Sequence, residues 1–233
     1  MALNNYSFFI KTLSEELKNE RMLLSDFVNK IFSHDPSFSI YMHYKTQKFF
    51  YNHKDSNLLD IYRNNADWTI VMNRFFIPYI IYKMGFTPQN EYYRIDTIGY
   101  KNIKKSNLID EGKKLGLTPY GWDMGIAVEH ENVKGEWIDE AIKLANINCP
   151  LRIIIGYNRP LKPGENNKQF EITCLNYFFK CLTATEEQLG KVYDESPMLI
   201  LFGQRDDKNG WTKINYNAYE LNLRNKHYTT VNQ

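Results

Sequence analysis

Cysteine is scarce in this chain. The only three, Cys149, Cys174 and Cys181, are an odd number without CxxC spacing. A structural zinc site needs several closely spaced ligands and a disulfide framework needs paired cysteines, so the sequence argues against both classes. Few cysteines without such a pattern fit a reducing compartment, and we expect a cytoplasmic location.

Long hydrophobic runs are also lacking. No apolar segment approaches the roughly 18 residues that a membrane-spanning helix needs, so we expect no membrane partner. Acidic side chains enter the N-terminal segment MALNNYSFFIKTLSEELKNE too early for a signal peptide. Three common catalytic signatures are missing as well: GxSxG, a Gly-rich phosphate loop and HExxH.

The chain also lacks a large excess of either charge. The formal net charge is +2, which is too small to diagnose nucleic-acid binding by itself. Hydrophobic residues make up 43% and charged residues 24% of the 233 residues, which is ordinary globular usage and argues against disorder. We expect one domain, with residues 58–221 forming an α/β core and residues 1–57 a helical N-terminal extension.

Residues 122–156 carry the clearest pattern, which predicts a strand, a helix and a second strand. Met124, Ile126 and Val128 alternate with other residues, as in a half-buried strand that ends in acids. On that alternation Glu129 and Glu131 share one face. Two neighbouring carboxylates repel each other when ionised, and a divalent cation would compensate them. The alternative is that the strand ends in solvent, where the two acids cost little.

A third carboxylate comes from an earlier segment. Residues 91–100 predict a strand rich in aromatic and β-branched residues, with Asp96 in its middle, where an unpaired acid is poorly placed. After the Glu129 strand, residues 136–145 predict an amphipathic helix and residues 151–156 a strand covered on both faces. A right-handed crossover would lay that last strand parallel to the Glu129 strand.

This order of elements and acids resembles the PD-(D/E)XK nuclease superfamily, whose fold is called restriction-endonuclease-like. The resemblance implies an α/β fold with a mixed central β-sheet flanked by helices. By position, Asp96 stands for the motif Asp and Glu129 for the motif Glu, while Glu131 occupies the place where Lys is usual. Two further departures are the missing Pro before Asp96 and the long insertion of residues 101–121.

The resemblance implies a site for Mg²⁺ or Mn²⁺. Asp96, Glu129 and Glu131 would be its catalytic residues, and Asp96, Glu129 and the main-chain carbonyl of His130 would be the metal ligands. A Glu at position 131 brings negative charge, so it would orient the attacking water, accept its proton or help hold a second ion. Candidate phosphate contacts are Asn132, Lys134, Lys143, Lys104 and Lys105. The last two belong to a lysine-rich segment that a solvated loop explains equally well.

Three functions remain open from the sequence. The first is a metal-dependent nuclease acting on DNA in restriction, repair or defence, with a homodimer as its plausible form. The second is a catalytically inactive protein of the same fold that binds nucleic acid or a partner protein. The third is an unrelated α/β protein with exposed acids.

Hydrophobic spacing also predicts the flanking elements. Residues 6–32 have helical spacing, with Glu15, Glu16 and Glu20 on a solvated face. Residues 58–84 predict a buried helix that Pro78 kinks or divides. Residues 211–221 alternate as in an edge strand after a turn.

Overall fold

A mixed β-sheet covered by helices organises the chain. The computed structural model describes residues 2–34, 44–102, 106–116, 122–132, 136–158, 161–204 and 214–231. Of the candidate phosphate contacts, Lys104, Lys105 and Lys134 lie outside these residues.

The sheet has seven strands within the described residues, and their order in the sheet is their order in the chain. Strands β1 to β3 are antiparallel, β3, β4 and β5 are parallel, and β5 to β7 are antiparallel again. The mixed sheet and the α/β class are therefore confirmed. The strands are β1 Thr87–Tyr92, β2 Ile95–Asn102, β3 Trp122–His130, β4 Leu151–Tyr157, β5 Met198–Gly203, β6 Tyr216–Asn222 and β7 His227–Val231.

Helices cover both faces of this sheet. Residues of α1, α2 and α4 to α6 share one buried cluster with Val128 and Ile155, whereas residues of α8 and α9 share the other cluster with Ala127 and Ile154. Successive strand residues point to opposite faces, so Glu129 lies on the face that α8 covers. The helices are α1 Ala2–Leu17, α2 Leu24–His34, α3 Tyr44–His53, α4 Leu58–Tyr62, α5 Asn65–Val71, α6 Ile77–Lys83, α7 Ser106–Lys114, α8 Trp137–Ala145 and α9 Asn167–Leu189.

Strand β4 confirms the prediction for residues 151–156. Every residue from Leu151 to Tyr157 is buried, and the strand runs parallel to β3 after the α8 crossover. A strand with apolar side chains on both faces is stable only when both faces are covered, which α1 on one side and α8 on the other provide here.

The N-terminal segment differs from its prediction in two ways. It forms two helices instead of one, because the chain leaves the helix after Leu17 and α2 begins at Leu24. The prediction of a solvated face is wrong for Glu16, which is 4% exposed and pairs with Lys30 at 2.7 Å. The partner lies on another helix, so helical spacing alone does not indicate this burial.

The predicted helix over residues 58–84 is interrupted twice. Asn64 caps a new helix by accepting from the main-chain N–H groups of Ala66 and Asp67. Further along, Met72–Phe76 is π-helical and leads directly into α6. Because Pro78 has no N–H to donate, the regular pattern of helical hydrogen bonds cannot pass through it.

Although residues 95–100 do form a strand, the predicted strand over residues 91–100 is interrupted near its start. Two strands meet there in a tight hairpin, because Tyr93 and Arg94 have positive φ angles of 45° and 65°. Asp96 is thus the second residue of β2 and not the middle of a long strand. In the predicted edge strand, residues 211–213 lie outside the described residues, and β6 is internal because β7 pairs with it.

Among the described residues, no helix combines the length and the hydropathy that crossing a bilayer requires. The three cysteines are free, in agreement with the expected lack of disulfides.

Candidate active site

Asp96 and Glu129 meet at one end of the β2–β3 ladder. The register pairs Thr97 with Val128, so Asp96 and Glu129 are the next residues on neighbouring strands. The main-chain N–H of Asp96 lies 3.3 Å from Oε2 of Glu129, and that of His130 donates to Oδ2 of Asp96 at 2.9 Å. Each carboxylate therefore serves a main-chain N–H of the other strand, which fixes both acids in one place.

An ammonium group from α8 completes this cluster. Nζ of Lys143 lies 2.5 Å from Oε1 of Glu129, also contacts the Glu140 carboxylate, and donates to the carbonyl of Arg94 at 2.6 Å. Glu140 and Lys143 lie one turn apart on the helix, a spacing at which opposite charges can pair. Oε1 of Glu129 has no well-aligned hydrogen-bond donor, so it depends on the charge of Lys143.

The environment raises the pKa of both acids. Burial raises the pKa of Asp96, while the His130 N–H, the Asn73 side chain and Lys143 lower it in part. Burial also raises the pKa of Glu129, to about 8, and the negative charge of Asp96 adds to the shift while Lys143 opposes it.

The pKa of Lys143 lies above its ordinary value. Burial lowers it, but the contacts with Glu129 and Glu140 raise it by more. Lys143 thus stays protonated, and one ammonium stands against the carboxyl groups of Asp96, Glu129 and Glu140. Fully ionised, the group would carry an excess of two negative charges. Burial is the main cause of the raised pKa of Glu129, and repulsion from Asp96 and Glu140 adds to it, because a bound proton relieves part of that repulsion.

Glu131 differs from Asp96 and Glu129 in its main-chain contacts. It follows β3, its N–H donates to the carbonyl of Ile155 at 2.8 Å, and its side chain is half-buried. Among the described residues, no three His, Cys, Asp or Glu side chains form a group that could hold a metal ion. Asp96 and Glu129 are therefore brought together, but Glu131 does not complete a three-carboxylate cluster with them. Its catalytic role stays a prediction.

His130 and Asn132 are both used in packing. The imidazole of His130 faces away from Glu129, and its Nε2 lies 2.8 Å from the Tyr157 hydroxyl. Nδ2 of Asn132 donates to the carbonyl of Asn65 at 2.8 Å, and the residue is 8% exposed. A phosphate contact from Asn132 stays a prediction and would require this donor to leave its partner.

Asn73 is a site residue that sequence analysis missed. It lies in the π-helical segment Met72–Phe76, and its side chain hydrogen-bonds to Asp96. Its Oδ1 is buried and has no hydrogen-bond partner among the described residues. Pro78 signals an irregular helix, and π-helical turns are frequent at functional sites, but neither observation selects Asn73 from sequence alone.

In comparisons with known proteins, no family model, curated protein or solved structure matches the chain. The functional assignment therefore depends on the geometry and electrostatics of Asp96, Glu129 and Lys143.

Proposed function

We propose that the protein is a metal-dependent nuclease that hydrolyses phosphodiester bonds of DNA. The observation that carries this proposal is the convergence of Asp96 and Glu129, two acids on adjacent strands, beside Lys143 and Glu140. Fully ionised, this group has two more negative charges than positive ones, and a divalent cation would balance them.

The donor set suits Mg²⁺ or Mn²⁺. These ions favour oxygen ligands, and Mg²⁺ is commonly held by one or two carboxylates together with waters and substrate phosphates. Asp96 and Glu129 provide the two carboxylates, and the His130 carbonyl remains our candidate for a third oxygen. A bound cation would compete with Lys143 for Oε1 of Glu129, which is the oxygen without a well-aligned donor. When bound, the ion would neutralise phosphate charge and acidify a bound water.

Lys143 provides a function that Glu131 cannot. The resemblance assigns a lysine to the position of Glu131, where this chain has negative charge. In the structure, the ammonium of Lys143 reaches Glu129 from α8 at 2.5 Å. We assign to Lys143 the electrostatic stabilisation of the phosphate and of the attacking oxygen. We assign to Glu131 the orientation of the attacking water.

The order of elements gives further support. Antiparallel β2 and β3 carry the two acids, α8 crosses over, and β4 returns parallel to β3. This is the arrangement that the resemblance to the PD-(D/E)XK superfamily implies, and from it we propose a restriction-endonuclease-like core and a role in restriction, repair or defence. Cutting both strands of a duplex often uses two active sites, so a homodimer remains part of the proposal.

The test begins with the ion and proceeds to cleavage. We expect Mn²⁺ to raise the melting temperature of the wild type, and to leave that of Glu129→Gln unchanged, because binding to the folded state alone stabilises it. Glu187→Gln, which alters an exposed glutamate of α9, is the matched control. Asp96→Asn and Glu129→Gln should each abolish Mg²⁺-dependent cleavage of plasmid DNA. Undiminished cleavage by either variant would reject the assignment.

A second function is favoured by the hydrogen bonds of the same acids. Asp96 and Glu129 already accept from main-chain N–H groups, so the pair also has a structural role in joining β2 to β3. A catalytically inactive protein of this fold would bind DNA with a strong dependence on salt and would not cleave it, whichever divalent ion is added.

A further inference from the structure

The tip of the β1–β2 hairpin presents an aromatic ring to solvent beside the acid cluster. Tyr93 is 83% exposed, more than any other large hydrophobic side chain in the part of the chain that the structure describes. Its ring makes an edge-on contact with Tyr92, with 4.6 Å between the centroids. Most of the Tyr93 side chain therefore stays open to solvent despite this contact.

The backbone of this tip is unusual for its residues. Tyr92 pairs with Ile95, so Tyr93 and Arg94 form a two-residue turn, and both have positive φ. Glycine and asparagine are the residues that such turns favour, because a side chain is strained there. A tyrosine followed by an arginine therefore costs stability at this turn, and strained residues of this kind cluster at functional sites.

The tip is also attached to the acid cluster. Nζ of Lys143 donates to the carbonyl of Arg94 at 2.6 Å while it pairs with Glu129 at 2.5 Å. Asp96 follows Arg94 by two residues on the same strand. The main chain of the tip is thus hydrogen-bonded to the same ammonium that pairs with Glu129, and Tyr93 is the residue next to that bond.

Arg94 adds a cation to this surface. Its side chain is exposed, and its guanidinium forms no hydrogen bond or ion pair with another residue in the described ranges. An exposed aromatic face next to an unpaired guanidinium matches an unpaired nucleotide, in which the base stacks and the phosphate binds the cation. A base inside a duplex presents no free face to a tyrosine.

We propose that Tyr93 stacks on an unpaired base and Arg94 contacts the adjoining phosphate, so that single-stranded or locally unpaired nucleic acid is the preferred ligand. The inference deepens the nuclease proposal, on which it rests for the choice of nucleic acid. It makes the hairpin tip a specificity element, separate from the acids that would perform hydrolysis.

Binding without cleavage tests this inference. Fluorescence anisotropy in EDTA would give the Kd of the full chain for a labelled mixed-sequence single strand and for the matching blunt duplex. We expect Tyr93→Ala to weaken single-strand binding about 10-fold, the loss of one stacking contact, with duplex binding unchanged. Tyr93→Phe keeps the ring and should bind as the wild type does. Tyr51→Ala, at a tyrosine of α3 that is 70% exposed, is the control.

Arg94→Ala should weaken single strand and duplex alike and reduce the salt dependence of binding by about one phosphate contact. The inference is overturned if Tyr93→Ala binds the single strand as tightly as the wild type, if it loses both ligands equally, or if the wild type binds no single strand.

The cleavage assay separates these results from the nuclease proposal. Metal-dependent cutting that survives Tyr93→Ala with unchanged single-strand affinity would reject the stacking role alone. Tyr93-dependent binding without any cutting would reject the nuclease alone.

Discussion

Lys143 joins α8 to β3 through a 2.5 Å contact between its Nζ and Oε1 of Glu129. The Lys143 side chain is 30% exposed, whereas the Glu129 side chain is 3% exposed, so the acid is almost fully removed from solvent beside this partner. Removing either group leaves the other in an environment suited to the pair. The acid cluster therefore contributes to folding, and its variants need stability measurements beside those of activity.

Replacing Lys143 with methionine should destabilise the fold. Lys143→Met keeps the length of the side chain and leaves Glu129 buried without its cation, so we expect the free energy of unfolding at pH 8 to fall by about 1–3 kcal/mol. Urea denaturation measures this change. At pH 5 Glu129 holds a proton, and the loss should be smaller. Lys180→Met, at an exposed position of α9, is the control. An equal loss at the two pH values would contradict the role given to Glu129.

Glu129→Gln should change how stability depends on pH. The pKa of Glu129 is about 8 in the folded chain and 4.5 ordinarily, so folding takes up a proton between these values. The stability that comes from burying the protonated acid is complete below pH 4.5 and is lost as the pH rises through 8. Glutamine resembles the protonated acid and cannot ionise.

Between pH 5 and pH 8 the wild type should therefore lose stability relative to Glu129→Gln, by up to about 1.4 kcal/mol per pH unit while one proton is released. Urea unfolding at several pH values gives both curves. Parallel curves would show that Glu129 is ionised throughout this range.

Tyr157→Phe should destabilise the opposite face of the sheet. The Tyr157 hydroxyl lies 2.6 Å from Nε1 of Trp68, 2.8 Å from Nε2 of His130 and 3.0 Å from the hydroxyl of Tyr216. Phenylalanine leaves the buried indole N–H without this acceptor, at a cost of about 1–3 kcal/mol. The midpoint of urea denaturation measures the cost. Tyr51→Phe, at an exposed position of α3, should leave the midpoint unchanged. A similar shift in this control would show that the effect does not come from the hydrogen bonds of Tyr157.

Sequence patterns predict the elements whose buried faces follow a regular hydrophobic spacing. Strand β3, helix α8 and strand β4 follow from alternation, from an amphipathic stripe and from a wholly apolar run. Each pattern indicates that one face or both faces of the element are buried, and the structure has this burial.

The hairpin and the acid cluster were harder to predict, for a physical reason in each case. Tyr93 and Arg94 are not turn residues, so no local preference indicates the break between β1 and β2. Helical spacing indicates that Lys143 can contact Glu140. The contact of Lys143 with Glu129 depends on how α8 packs on the sheet, which helical spacing does not indicate. Only the family resemblance predicts that Asp96 and Glu129 lie close together, since the amino-acid sequence does not indicate the register of the strands.

The coincidence of sheet order with chain order has a consequence for synthesis. Each strand leaving the ribosome finds its partner already at the open edge of the growing sheet, so no later strand must be inserted between two earlier ones. Asp96, Glu129, Glu140 and Lys143 are all made before β4 begins. The nascent chain thus contains these four charged residues while four of the seven strands, β4 to β7, are still to be made, and the pairing of β4 with β3 then closes the edge beside Glu129.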